Sequence, residues 1–156
     1  MNRLLKNHRE FLDMNHQLRQ NVLEAVSNSD LEHRLGGTTL SLRRLLLEQG
    51  EFQAAYTRSF RTCELRFDVA APTDVDTLAQ IQAWFAQLDG EMIEVLEALE
   101  DADLKRPVDR GGRYSPPVEI CFHTYRETLL IFAAKASVYL RALGRELSPQ
   151  ISNWVA

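Results

Sequence analysis

Four histidines, two cysteines and a set of acids on helical stretches are the residues in this chain whose types could carry chemistry. The histidines, His8, His16, His33 and His123, include no pair at i, i+3 or i, i+4, so the HExxH kind of metal signature is absent. His8 and His16 are eight positions apart, too far along one helix to share an ion. His123 and Glu127 stand one turn apart, and Glu48 from another helix would complete a nitrogen and two carboxylates, a donor set suited to zinc or nickel. A plainer reading places His123 at a helix flank and Glu127 in solvent, because both lie off the stripe of Phe122, Tyr125, Leu129 and Phe132. Cys63 and Cys121 are separated by 58 positions and form no CxxC, which reads as two small apolar fillers. Neither has a histidine in helical register to activate it; Cys121 and His123, two apart, point different ways. GGTTL and RGGR lack the spaced glycines, the lysine and the preceding strand of a phosphate loop. Arg106, Arg110 and Arg113 read as a solvated loop.

The elements that must position these residues are helices. The 156-residue chain reads as one domain, 1–156, able to bury roughly 70% of its unfolded surface and so to fold without a metal or disulfide. Apolar residues make up 45%, charged residues 26%, and the net charge is -4, which gives no general attraction to nucleic acid or anionic membrane. No apolar run approaches the ~20 residues of a bilayer span, and the first residues lack a signal-peptide layout, so the expected location is the cytoplasm. No internal repeat or low-complexity tract is present.

A first amphipathic helix is expected from about Leu4 to Val26, ended by SNSD and LGG. The second should begin at Thr38 or Thr39 and run to Phe60, with Glu48 or Gln49 pressed toward the core. CELRFDVAAPTD reads as loop. The third is expected to open at Pro72 with Thr73 or Asp74, placing Asp74 and Asp76 in its first turn. Its stripe of Leu78, Ile81, Phe85, Leu88, Met92, Val95 and Leu99 is the most regular in the chain, and Gly90 lies off it. A charged, glycine- and proline-rich connection spans 100–117. The fourth helix follows Pro116-Pro117, buries residues on more than one side, and stops at Gly144 with Arg141 near its end. Ile131 and Val138 widen its apolar surface, as packing against two neighbours or another subunit would require. Trp154 is expected to dock the tail. Four amphipathic helices with little strand signal specify an all-α four-helix bundle.

On particular residues the chain resembles the DinB-like superfamily, also called YfiT-like metal-dependent hydrolases. FLDMNHQL carries Asn15 in place, LSLRRLLLEQGEFQAAY resembles the leucine-rich segment that ends in a histidine ligand, and Leu140-Arg141-Ala142-Leu143-Gly144 matches the family's Leu-Arg-x-x-Gly ending. Counted back from Gly144, the two histidine positions of the family fall on Thr128 and Phe132, the following Gly-Gln becomes Ala134-Lys135, and the ligand position on the second helix falls on Glu48. Phenylalanine cannot bind an ion and threonine is a poor ligand for one. The resemblance therefore implies a bundle that has lost its metal and binds a small molecule or a partner, without a cofactor. The alternative it implies is a metal-dependent hydrolase or thiol transferase rewired onto Glu48, His123 and Glu127. It also implies pairing into a homodimer.

Overall fold

A computed structural model describes residues 1–156. Four long helices, α1 (Arg3–Glu24), α2 (Leu42–Thr62), α3 (Leu78–Ala98) and α4 (Val118–Ala142), are followed by a short α5 (Pro149–Trp154). There are no strands, only isolated bridges between loops. α4 packs against α1 and α2, and α2 packs against α3, closing a ring in the order α1, α4, α2, α3.

Four of the five helices begin where a side chain satisfies a free amide of the first turn, and α4 follows Pro117 without such a cap. Asn2 accepts from the Leu5 N–H, Ser41 from Arg44, Thr77 from Gln80 and Ser148 from Ile151. Two of these caps lie later than the sequence reading placed them. α2 starts at Leu42, not at Thr38 or Thr39, because Gly36 and Gly37 take positive φ and Thr39 closes a turn onto the Gly36 carbonyl. α3 starts at Leu78, because Thr77 and Gln80 form a reciprocal capping box while Val75 is held in a turn onto Pro72. Asp74 and Asp76 therefore precede the helix. The tail also docks differently: Ile151 is fully buried, whereas Trp154 is 42% exposed.

The core divides into two clusters of 18 buried residues each. One holds the first half of α1, the second halves of α2 and α3, and the first half of α4. The other holds the complementary halves. α1 and α4 consequently run one way and α2 and α3 the other, so the 63–77 connection travels the length of the bundle while the other two stay at its ends. Leu65 sits in the first cluster and Val75 in the second. Glu51 pins this crossing by accepting from the Ala71 N–H at 3.0 Å while pairing with Arg44.

Gly50 sets the contact between α2 and α3. A Cβ there would lie 2.4 Å from the Trp84 ring, so only glycine lets the indole rest on the α2 backbone. The regular stripe of α3 is buried as expected from Ile81 to Leu99, with Leu78 half-buried.

Candidate functional sites at the polar layer

Between the two apolar clusters lies a layer of polar side chains contributed by all four helices. From α1 come Asn15, His16 and Arg19; from α2, Gln49 and Gln53; from α3, Asp89; from α4, Tyr125 and Thr128. Arg19 is 3% exposed and Gln53 is fully buried. A buried guanidinium is tolerated only when paired and fully hydrogen-bonded. Arg19 is paired and hydrogen-bonded through both terminal nitrogens: its Nη2 donates to both Asp89 oxygens at 2.8 and 2.7 Å, its Nη1 to Gln53 Oε1 at 2.5 Å, and its guanidinium carbon lies 4.1 Å from the Phe85 ring centroid. Gln53 Nε2 closes the triangle on Asp89 at 2.8 Å.

His16 extends the network to α4. Its Nδ1 is 3.3 Å from Asp89 Oδ1, and its Nε2 is 2.8 Å from the Tyr125 hydroxyl. With Nδ1–H directed at the carboxylate, Nε2 accepts a hydrogen bond from the Tyr125 hydroxyl. Burial, reinforced by the Arg19 charge, lowers the His16 pKa from 6.5 to about 4, so the ring is neutral at pH 7. Tyr125 is fully buried, which pushes its hydroxyl well above the usual range. The chain Asp89–His16–Tyr125 has no free ring nitrogen and no exposed hydroxyl, so it is not arranged as a base with a waiting nucleophile.

Above this network a polar cleft of about 470 Å³ opens between α1 and α3. Asp89, His16 and Arg19 form its floor, and Arg9, Asp13, Gln17 and Gln20 line it along α1. Gly90 forms part of the α3 wall, where a Cβ would meet nothing within 4 Å. The sequence reading does not group these residues: His16 is set aside as too far from His8 to share an ion, and Arg19, Gln53 and Asp89 are not singled out. The available signal was positional, since Asn15, Arg19, Gln49 and Gln53 recur at helical spacing with buried leucines.

The positions drawn from the family resemblance lie on the opposite flank of the same layer. Glu48, Thr128 and Phe132 do come together, lining a narrow cleft of about 80 Å³ between α2 and α4, with Gln49, Phe52 and Lys135 beside them. These residues do not fit a divalent ion. Glu48 supplies one carboxylate, the Thr128 hydroxyl is spent donating to the Tyr125 carbonyl at 2.7 Å, Phe132 supplies nothing, and Lys135 is a cation.

Glu48, His123 and Glu127 do not form a metal-binding group, and no three His, Cys, Asp or Glu side chains do so anywhere in the structure. His123 turns away from α2 toward α1, where its ring meets His8 edge-on at 4.8 Å and Arg126 lies 3.4 Å from its Nδ1. Burial and then the His8 charge lower its pKa. Glu127 is exposed. The physical reason is register: His123 and Thr128 point to different neighbours of α4. Asn15 accepts from Arg126 Nε at 2.9 Å, tying α1 to α4. Cys121 is buried and its thiol pKa is raised by burial, while Cys63 ends α2 in the left-handed conformation at φ 57°.

The chain is an all-α bundle of four long helices with polar side chains gathered at its mid-height, and in helical bundles ligand and metal sites are built between facing helices. Comparison with solved structures gives the particular fold. The chain is similar to a DinB-like protein from Bacillus subtilis, at 15% identity and a TM-score of 0.70, over 94% of this chain and 96% of that one. It is similar to a DinB-like protein from Bacillus cereus at 15% identity and a TM-score of 0.73, over 92% and 95% of the two chains. The fold is therefore that of DinB-like proteins. No model of a known protein family matches the chain, and neither does any curated protein.

Proposed function

We propose that this protein is a divergent DinB-like bundle whose metal position has been lost and whose role is to bind a polar small molecule in the α1/α3 cleft. One observation carries this reading: charged and amide side chains from three helices, backed by Tyr125 from the fourth, converge beneath an open cleft of about 470 Å³. Packing apolar residues in place of a buried ion pair is often neutral or stabilising, so stability alone is a weak reason to keep one. The lining is balanced in sign, with Arg9 and Arg19 against Asp13 and Asp89, and Gln17 and Gln20 add amides. That chemistry suits a neutral or zwitterionic ligand rich in hydrogen-bonding groups, and it disfavours a phosphate or a lipid tail. The donor set at Glu48, Thr128 and Phe132 supports the loss of the metal.

The test is a thermal-shift screen of polar metabolites, covering sugars, nucleosides and amino acids, against the wild type and Gly90→Leu. A ligand at a hundred times its dissociation constant adds about 2.7 kcal/mol to native stability. The expected result is a compound that stabilises the wild type and not the variant, in which a leucine fills the cleft. A stabilising compound whose effect survives Gly90→Leu and disappears in Glu48→Ala or Lys135→Ala would overturn the assignment in favour of the α2/α4 cleft.

A further inference from the structure

Hydrogen bonds along α1 fix which way the amides of the α1/α3 cleft face. Gln150 Nε2 donates to the Met14 carbonyl at 2.8 Å, an oxygen that can only accept, so Gln150 Oε1 is the atom that takes Asn21 Nδ2 at 2.8 Å. Asn21 Oδ1 is then the acceptor for Gln17 Nε2, 2.9 Å away. Gln20 Nε2 donates to the Glu24 carboxylate at 3.0 Å, which also only accepts. Both glutamines that line the cleft therefore turn their nitrogens along the helix toward its C-terminal end, and each keeps an unspent carbonyl oxygen.

The carboxylates weigh on the same side. Asp89 Oδ1 is shared by Arg19, Gln53 and His16, but Oδ2 takes Arg19 alone, and the side chain is 32% exposed at the cleft. Asp13 is bonded only by Arg9 Nε. The donors, in contrast, are spent or hemmed in. Arg19 is buried beneath Asp89 and bound to it, and Arg9 is flanked by Asp13 at 3.0 Å and by Glu97 at 3.9 Å. α3 itself carries Asp89, Glu91, Glu94 and Glu97 and no lysine, arginine or histidine. A ligand entering the cleft therefore meets oxygens that accept. A carboxylate or phosphate is repelled there, and a hydroxyl group offers one donor without charge. A primary ammonium brings three donors and a positive charge, and charged hydrogen bonds are the stronger kind.

We propose that the α1/α3 cleft recognises a primary ammonium group, received by Asp89 Oδ2 and the carbonyl oxygens of Gln17 and Gln20, on a zwitterionic ligand whose acidic end points out to solvent. This rests on the reading of that cleft as the ligand site and narrows its ligands from neutral or zwitterionic compounds to amines. Asn21, Glu24 and Gln150 act as positioning residues, because their bonds hold the two glutamine oxygens free.

Isothermal titration of the full chain with four probes tests it: glycylglycine, glycylglycinamide, N-acetylglycylglycine and glucose. The first two carry the ammonium, the third lacks it on the same body, and the last offers hydroxyl groups alone. The two amines are expected to bind within about threefold of each other, since the acidic end is in solvent, and at least about tenfold tighter than the acetylated dipeptide or glucose. Gln20→Lys sets a competing ammonium among the oxygens and should weaken both amines at least about tenfold, with helical content by circular dichroism unchanged. Gln17→Leu, which removes one acceptor, should weaken them about threefold or more. If the acetylated dipeptide or glucose binds as tightly as the amines and all binding is lost in Gly90→Leu, the ammonium assignment is overturned and the cleft remains the ligand site. Amine binding that survives Gly90→Leu overturns both. Failure of both amines to bind up to about 10 mM overturns the ammonium assignment alone, provided a neutral compound from the metabolite screen binds and is lost in Gly90→Leu.

Discussion

The two clefts that flank the polar layer sit at the same height in the bundle and are built in opposite ways. On the α1/α3 side, Arg19, Gln53, Asp89 and His16 are locked to one another and leave a wide opening above them. On the α2/α4 side, Glu48 and Lys135 stand at the rim without an ion-pair partner, and the space between Thr128 and Phe132 is barely larger than a few waters. The difference is one of donor chemistry and of space. Glu48, Thr128 and Phe132 line a cleft with one carboxylate and a cation beside it, while the hydrogen-bonded polar side chains lie on the other flank.

Removing one member of each cleft should separate them most sharply. Asp89→Ala strips Arg19 of its carboxylate while leaving it buried, and is expected to cost about 3 kcal/mol in urea unfolding; the low end of the buried-pair range applies because Asp89 is 32% exposed. A loss below about 1 kcal/mol would mean that the network relaxes to water and does not organise the layer.

Acid should act on the same flank next. His16 has a folded pKa of about 4 against an unfolded value of 6.5, so the unfolded chain binds more protons between those values. The stability it protects is complete above pH 6.5 and is lost as pH falls toward 4, by roughly 2 kcal/mol on reaching pH 5. His16→Gln should flatten most of that slope in a series of urea titrations. His123, lowered in the same direction and partly exposed, accounts for a smaller remainder. An unchanged slope in His16→Gln would show that the imidazole is not the group responsible.

Smaller effects test the walls. Gly90 occupies the interior of α3 with open space where a Cβ would be, so Gly90→Ala should raise stability by about 0.5–1 kcal/mol through helix propensity alone. Combined with unchanged ligand binding, that gain would show that the wall tolerates a methyl group; lost binding would show that the ligand reaches the α3 backbone. Glu48→Ala on the opposite flank should change stability by no more than about 0.5 kcal/mol, because the carboxylate is half-exposed and unpaired. A loss of 2 kcal/mol or more there would reverse the ranking of the two clefts.

Much of the fold could be read from residue order because helix formation and burial are periodic. The seven-residue stripe of α3, the broad apolar surface of α4 and the break at SNSD all appear in the structure, and of the two residues the α2 stripe allowed, Glu48 or Gln49, it is Gln49 that is buried. Helix starts were less accessible, since Thr38, Thr39, Thr73 and Asp74 are all chemically competent caps. The choice of Ser41 and Thr77 rests on turns and on a reciprocal bond to Gln80 that residue type does not reveal. The resemblance to DinB-like proteins, carried by Asn15 and the Leu140–Gly144 ending, pointed to the fold that the solved structures share.

What the sequence by itself determined was the set of helices, the faces they bury and the chemical poverty of Thr128 and Phe132 as ligands. Those follow from side-chain type and from local spacing along one helix. Only the tertiary structure decided which polar residues meet. His16, Arg19, Gln53, Asp89 and Tyr125 lie on four different helices, as much as 109 positions apart in sequence, and apart from His16 and Arg19, one turn apart on α1, no local spacing relates them. Their assembly depends on helix direction and rotation, which are fixed by two apolar clusters packing above and below them and by a glycine at position 50 that lets α3 close onto α2.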